Sequence, residues 1–494
     1  MSIDIRNKKI VFLGYGAVAK CVWNYFDRYF TFNRRRVVLV DKTKSAFTGP
    51  NLKGVKKIVM TVDSTNFDEL IDRIKLKKHD IIIDLTTSTV TYYFIKMCFM
   101  RGFHYINTSI EDENDAMLGT SIDCQQHMVA SIAAQFPRPT STILTECGQN
   151  PGLVQHYILF ALHEMKKLGQ AGKAKDKAKD KAKDKATGKA KDNYSRDTLV
   201  DIVDEFKVGT ILLSEIDNMT SSIPLEPRII YNTWSVAGYV FEAKDKTELV
   251  CGKENNFVHP IIPPEKFSDI TMSVYDKLRG PSPPYDVLFL KEPGLRTTLN
   301  SICPVLDEKG EIVITNYRGK LIHHGEIFNM ARYFGKNAPF MSYVYQTSPY
   351  VDQSIKTFQT QNNADEKDLW LYVNQDQTYH IFEGGEVSGH DSVGCTIFCG
   401  DKSVERIFWC GSILSTSDAC VQGEYTPTIV QVAAGVLSGL SAILSPGNKY
   451  KGWVEPTDLD TRYILEKSVP LLGKFRFMEI PVSEFKGPIE YKEL

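Results

Sequence analysis

Through the first 150 residues, short apolar runs alternate with stretches in which apolar residues recur at helical spacing. KKIVFLG (8–14), RRRVVLVD (34–41), KKIVMTVD (56–63), DIIIDLT (80–86) and HYINTS (104–109) read as buried strands. Between them, AVAKCVWNYFDRYF (17–30) puts Val18, Cys21, Val22 and Tyr25 on one stripe of a helix, and FDELIDRIKL has the same period. Strands alternating with helices predict a parallel sheet covered on both faces.

The pattern changes further on. From about 195 to 420, β-branched and aromatic runs such as EPRIIYNTWSVAGYVFEA, GEIVITNYRG and GCTIFCG dominate, with few helix-period runs between them. This predicts a second unit built on a largely antiparallel sheet. The expected fold class is α/β, a Rossmann-type domain over 1–150 followed by an α+β domain over 151–425. The remainder, 426–494, is expected to pack its helix back on the first domain. TIVQVAAGVLSGLSAIL (428–444) is apolar but short for a membrane span and interrupted by Gln431, Ser438 and Ser441, so it reads as a buried helix rich in small residues. GKAKDKAKDKAKDKATGKAKDN (172–193) holds nine lysines, four aspartates and no large apolar residue. It cannot bury a core and reads as a disordered loop or an exposed transient helix.

Composition narrows the classes. A chain of 494 residues exceeds one hydrophobic core. A formal net charge of -1 argues against nucleic acid or an acidic membrane surface as the main partner. Ten cysteines, scattered without a CxxC pair, read as reduced thiols rather than a zinc site or disulfide framework, so no metal is expected. The N-terminus enters a strand directly without a secretory pattern, which suits a cytoplasmic protein.

VFLGYGAVAK carries Gly14, Gly16 and Ala19 in GxGxxA spacing between a strand and a helix. Such glycines allow a tight turn and let backbone approach a pyrophosphate at a helix N-terminus, here at Ala17 and Val18. Asp41 closes the next strand, where a carboxylate accepts from an adenosine ribose; this favours NAD over NADP, although Lys42 and Arg34–Arg36 lie close by. DLTTS (84–88) ends another strand, and its Thr86 and Thr87 are assigned to the cofactor edge.

In NTWSVAGYVFEA (232–243), Glu242 follows Trp234 by eight residues. On one straight strand they would stand roughly 27 Å apart. A turn at Ala237-Gly238-Tyr239 would close a hairpin and set them side by side, a site for an organic cation. Read without a hairpin, they are a core tryptophan and a rim glutamate. Glu215 (ILLSEIDN), Asp391 (GGEVSGHDSVG) and Glu326 (LIHHGEIFNMARYF, two residues after His324) occupy similar settings. In the last, the acid would open a helix, where it suits the dipole.

Taken together, FLGYGAVAK, YINTSIE, CGQNPGLV, SEIDN, NTWSVAGYVFE, HHGEIF, SGHDSVG, CGSILS, VQVAAGVLSGL and GWVEPTDLD resemble the bacterial-type homospermidine synthase family, within the wider saccharopine dehydrogenase-like group. The AKDK insertion and the Tyr-Gly-Ala-Val form of the glycine loop depart from it. The resemblance implies a homodimer that condenses two putrescines, or putrescine with spermidine, with NAD as a recycling cofactor. It implies that Asn150 lies near nicotinamide and substrate, and that Trp234, Glu242 and Glu215 hold an ammonium. It also implies that His324, Glu326 and Asp391 line the far part of the pocket, and that Glu111 guards an entrance or holds an amine. Which group is the general base stays open. A net dehydrogenase of the saccharopine or carboxynorspermidine type is the second reading; its substrates carry carboxylates, for which the motifs offer only Arg296.

Overall fold

Seven parallel strands form the first sheet, in the order Gly452–Val454, Thr142–Leu144, His104–Asn107, Ile81–Asp84, Ile10–Leu13, Val37–Asp41, Lys56–Val59. The computed structural model describes residues 2–87, 91–110, 121–178, 196–268, 283–364, 369, 379–419 and 425–494. Ile10–Leu13 lies centrally and is wholly buried, as expected of a strand covered on both faces. The chain leaves it toward one edge and then returns to build the other, which creates a switch point beside Gly14. Helix Ala17–Tyr29 buries Ala19, Cys21, Val22, Trp23, Tyr25 and Phe26.

The second sheet has ten strands. Its main path runs Lys474–Ile480, Arg406–Ser415, His390–Cys399, Val208–Asp217, Phe340–Gln346, Ile312–Ile322, Thr297–Leu306, Tyr491–Glu493. Neighbours are antiparallel except Val208–Asp217 with Phe340–Gln346, which is the largely antiparallel architecture expected. Every residue of Val208–Asp217 is buried.

Helices are more frequent in this half than the sequence pattern suggested. Arg196–Glu205, Val236–Lys244, Glu326–Phe334 and Pro349–Asn362 all lie there. The most consequential is Val236–Lys244, because it replaces the expected hairpin at 237–239. Ser235 caps it by accepting from the Gly238 N–H at 3.0 Å. Apolar residues at nearly every position fit a short buried helix as well as a strand, and period alone does not separate them. Gly238 serves a different purpose from the one its turn chemistry suggested. A Cβ there would lie 2.9 Å from Cζ3 of Trp234, so the glycine makes room for the indole ring.

Helix Pro427–Leu444 is apolar and long enough to cross a membrane, but 89% of it is buried inside the protein. It lies against Ala17–Tyr29. Its Gly435 and Gly439 leave no room for a Cβ beside the Gly148 carbonyl and the Cys147 thiol. The small residues therefore let the helix press directly on the loop that carries Asn150. Beyond the helix the chain serves both sheets: Gly452–Val454 edges the first, and Lys474–Ile480 and Tyr491–Glu493 edge the second. The start of the AKDK repeat, through Ala178, continues helix Leu153–Ala178. The rest of the repeat, and Glu111, lie outside the described residues.

Candidate active site

The glycine loop is shaped for a phosphate. Gly14 has φ +74°, and a Cβ on it would sit 2.7 Å from the Leu85 carbonyl oxygen. Both facts demand glycine. Around Gly16 the space is open, and this residue caps the following helix without a side-chain bond. The first turn, starting at Ala17 and Val18, thus presents backbone donors that no side chain of the cap satisfies, the arrangement that binds anions. Asp41 sits at the strand end beside it, accepting from the Tyr15 and Thr43 N–H groups, each at 2.8 Å. Thr86 donates its hydroxyl to Asp84 at 2.6 Å, next to the exposed Thr87. These residues fit a dinucleotide: open backbone for the pyrophosphate and a carboxylate for the ribose.

Facing this edge is one side of the second sheet. Side chains two apart on a strand share a face, and so do partners directly opposite on neighbouring strands. Glu215 and Asp217 therefore point the same way. Tyr345 is the register partner of Glu215, and Asp391 that of Asp217. Tyr343 lies two residues before Tyr345. The face thus gathers three buried acids and two tyrosines.

Glu215 is the junction. Its Oε2 accepts from Asn150 Nδ2 at 2.7 Å, a contact from the loop beyond the parallel sheet, and from the Tyr343 hydroxyl. Burial raises its pKa despite those two donors. Tyr343 packs its ring 4.1 Å from that of His324 and 5.8 Å from that of Tyr345, whose hydroxyl accepts from Trp234 Nε1 at 3.3 Å. At the other end, His324 Nδ1 lies 3.2 Å from Glu326 Oε2, and Nε2 lies 3.3 Å from Glu242 Oε2. Burial alone would lower the His324 pKa, but the two carboxylates raise it well above its ordinary value. The two carboxylates thus favour the imidazolium form of His324.

Trp234 and Glu242 are thus the two ends of a row, Trp234–Tyr345–Tyr343–His324–Glu242, rather than partners across a hairpin. Glu242 lies six residues into helix Val236–Lys244, a rise of only about 9 Å, so it stays within reach of the row that begins at Trp234. Glu326 opens helix Glu326–Phe334, as expected from its sequence setting. Asp391 Oδ2 accepts from Thr428 at 2.7 Å, and Oδ1 is buried without a hydrogen-bond partner. Burial raises its pKa well above the ordinary value, and the charges of Glu215 and Asp217 add to this.

Sequence reasoning passed over Tyr343, Tyr345 and Asp217. The spacing was visible, however: SEID and SYVYQ each carry two functional side chains two residues apart, the period of one strand face. Asp217 accepts from Thr233 at 2.6 Å, which ties down the loop carrying Trp234. Burial pushes its pKa from 3.8 up to about 7. A raised folded-state pKa gives stability that is fully present below the unfolded value and is lost as pH rises through the folded one. In the ligand-free protein the melting temperature should fall between pH 3.8 and about 7, and Asp217→Asn should flatten that slope. An unchanged slope in scanning calorimetry would show that Asp217 does not titrate in this range.

Comparison with known proteins bears on the fold. The profile of the saccharopine dehydrogenase NADP binding domain matches residues 10–134. A homospermidine synthase of Blastochloris viridis is 23% identical over 484 residues, covering 94% of this chain and 89% of that protein. One of Mesorhizobium japonicum is 22% identical over 487 residues, covering 94% and 88%. Among solved structures, the homospermidine synthase of Legionella pneumophila in complex with NAD superposes with a TM-score of 0.73 at 20% identity, covering 97% of this chain and 92% of that one. Residues 10–134 thus match a saccharopine dehydrogenase NADP-binding domain, and the chain is similar to homospermidine synthases over nearly its whole length.

Proposed function

We propose that the protein condenses two putrescines, or putrescine with spermidine, into homospermidine with release of ammonia, using NAD without net redox. The observation that carries this reading is Glu215, a buried acid joined to the cofactor-side loop through Asn150 and set in a row of aromatic rings and carboxylates. An α,ω-diamine is a dication without carboxylates, and this face offers it carboxylates and ring faces. The saccharopine-type alternative needs arginines for its substrate. Arg296 is exposed, 3.9 Å from Glu292, and Arg332 is engaged with Glu455.

The glycine loop, Ala17, Val18, Asp41, Thr86 and Thr87 would hold NAD, with Asn150 near its reactive end. Bound there, NAD would accept a hydride from the amine-bearing carbon and later return it to the C=N bond of the condensed product. The chain's own residues manage charge and protons. An amine must lose its proton before hydride can leave the neighbouring carbon. The two carboxylates beside His324 favour its protonated form, which makes it a poor base. Glu215, whose pKa burial raises, is suited to take that proton, with Tyr343 and Asn150 fixing its orientation. Trp234 receives the far ammonium on its ring, with Asp391 as the acid at that end of the face, while Glu242 stands beside His324 at the other end. A second amine then attacks the imine carbon, and ammonia departs.

Purified protein given putrescine and NAD should form homospermidine and ammonia, seen by mass spectrometry, without net NADH. Steady NADH accumulation would instead favour the dehydrogenase reading. Trp234→Ala should weaken diamine binding by about 0.5–2 kcal/mol. An unchanged Michaelis constant would make the ring a packing element only.

A further inference from the structure

Glu146 lies in the loop beyond strand Thr142–Leu144, four residues before Asn150, and it is unusual in three ways. It is a non-glycine residue at φ +57°, a conformation that side chains seldom adopt. It is 2% exposed. Its carboxylate also occupies the place a side chain would take on Gly325, since a Cβ built there would overlap Glu146 Oε1. Gly325 is the residue between His324 and Glu326.

The contacts around it converge on that same turn. Gln126 Nε2 donates to Glu146 Oε1 at 2.9 Å and Oε2 at 2.7 Å, and also to the Gly325 carbonyl at 2.9 Å. Asn329 Nδ2 reaches Oε2 at 3.5 Å. The Glu146 N–H donates to Asn107 Oδ1 at 3.0 Å, which anchors the residue to the parallel sheet. Two side chains of the first unit therefore grip the backbone of the second unit at the point where the histidine and its partner acid begin.

We propose that Glu146 is a positioning residue: with Gln126 it clasps the Gly325 turn and so fixes His324 between Glu326 and Glu242. This rests on the proposed reaction, for which the row that ends at His324 and Glu242 lines the diamine site. A backbone held in a disfavoured conformation persists when the surroundings require it. Here the requirement is geometric, because the left-handed turn at 146 lays the carboxylate across Gly325. The titratable groups nearby are Arg332, Glu326 and Glu455 around Glu146, and Glu242, Glu326, Glu215, His323 and the neutral phenol of Tyr343 around His324. Burial raises the Glu146 pKa to about 7, against the Gln126 bonds that lower it, so the clasp is sensitive near neutrality.

The test uses full-length protein with ¹⁵N-labelled histidine and three variants, Glu146→Gln, Glu146→Gly and Gln126→Ala. Glycine tolerates φ +57° without strain and removes the carboxylate, so it separates activity from folding. The expected result is that His324 titrates at lower pH in Glu146→Gly than in the parent, with kcat at least tenfold lower and NAD affinity within twofold. Gln126→Ala should move both in the same direction, and it stands in if a Glu146 variant does not fold. An unchanged His324 titration, with kcat within twofold in every folded variant, overturns the proposal even if stability falls. The histidine titration needs no substrate. It therefore judges Glu146 independently, while absence of homospermidine from the parent would count against the proposed reaction alone.

Discussion

Glu215→Gln should lower kcat for diamine condensation by about 10²–10⁴-fold, the range for losing a positioned general base, with NAD affinity essentially unchanged. Glutamine keeps the size and can still bond to Asn150 and Tyr343, so the fold is spared. What is lost is the ability to take a proton. Because burial holds the Glu215 pKa above the ordinary carboxylate value, the basic form appears later on the pH scale than for an exposed glutamate. The parent's rate should therefore rise with pH on its acid limb, and the variant should lose that limb. A kcat within fivefold of the parent, with the same limb, would move the base elsewhere.

The second large effect is on stability. Arg332 projects from helix Glu326–Phe334 to Glu455, Gln126 Oε1 at 2.6 Å, and Asp123 at 3.9 Å. Its side chain is 25% exposed, Glu455 14% and Asp123 not at all. Breaking such a pair leaves buried carboxylates without their cation, at a cost of about 3–5 kcal/mol for a fully buried case and nearer 3 here. Arg332→Ala should show that loss in urea denaturation, whereas Arg332→Lys should recover part of it, since an ammonium restores charge but not the planar fork. A loss below about 1 kcal/mol would mean the pair behaves as a surface ion pair.

Much of the fold could be read from the order of apolar residues, because a strand buried on both faces leaves an uninterrupted run. Ile10–Leu13 and Ile81–Asp84 are examples. The glycine loop was equally legible, because Gly14 does what only glycine can do there and Gly16 leaves the helix start open. The ribbon around Trp234 was not. Its residues are apolar on all sides, so neither period stands out, and Gly238 carries no mark that distinguishes a turn from a clearance for an indole. Glu146 and Arg332 were silent for another reason. Their meaning lies in partners far along the chain, Gly325 and Glu455, and no local pattern records a contact across such a separation.

The edge strand Gly452–Val454 bears on how the protein is made. It pairs with Thr142–Leu144, the strand that leads into the Asn150 loop, and helix Pro427–Leu444 braces that loop from behind. Ribosomes add about 5–20 residues per second, so the nascent cofactor domain waits roughly 15–60 s for its last strand. Through that interval Thr142–Leu144 presents an open parallel edge, the kind of surface on which unfinished chains mispair. The side of the cofactor site that carries Asn150 is therefore not braced in the order in which it is encoded. It is finished by the final tenth or so of the chain, which couples assembly of the nucleotide edge to completion of the whole polypeptide.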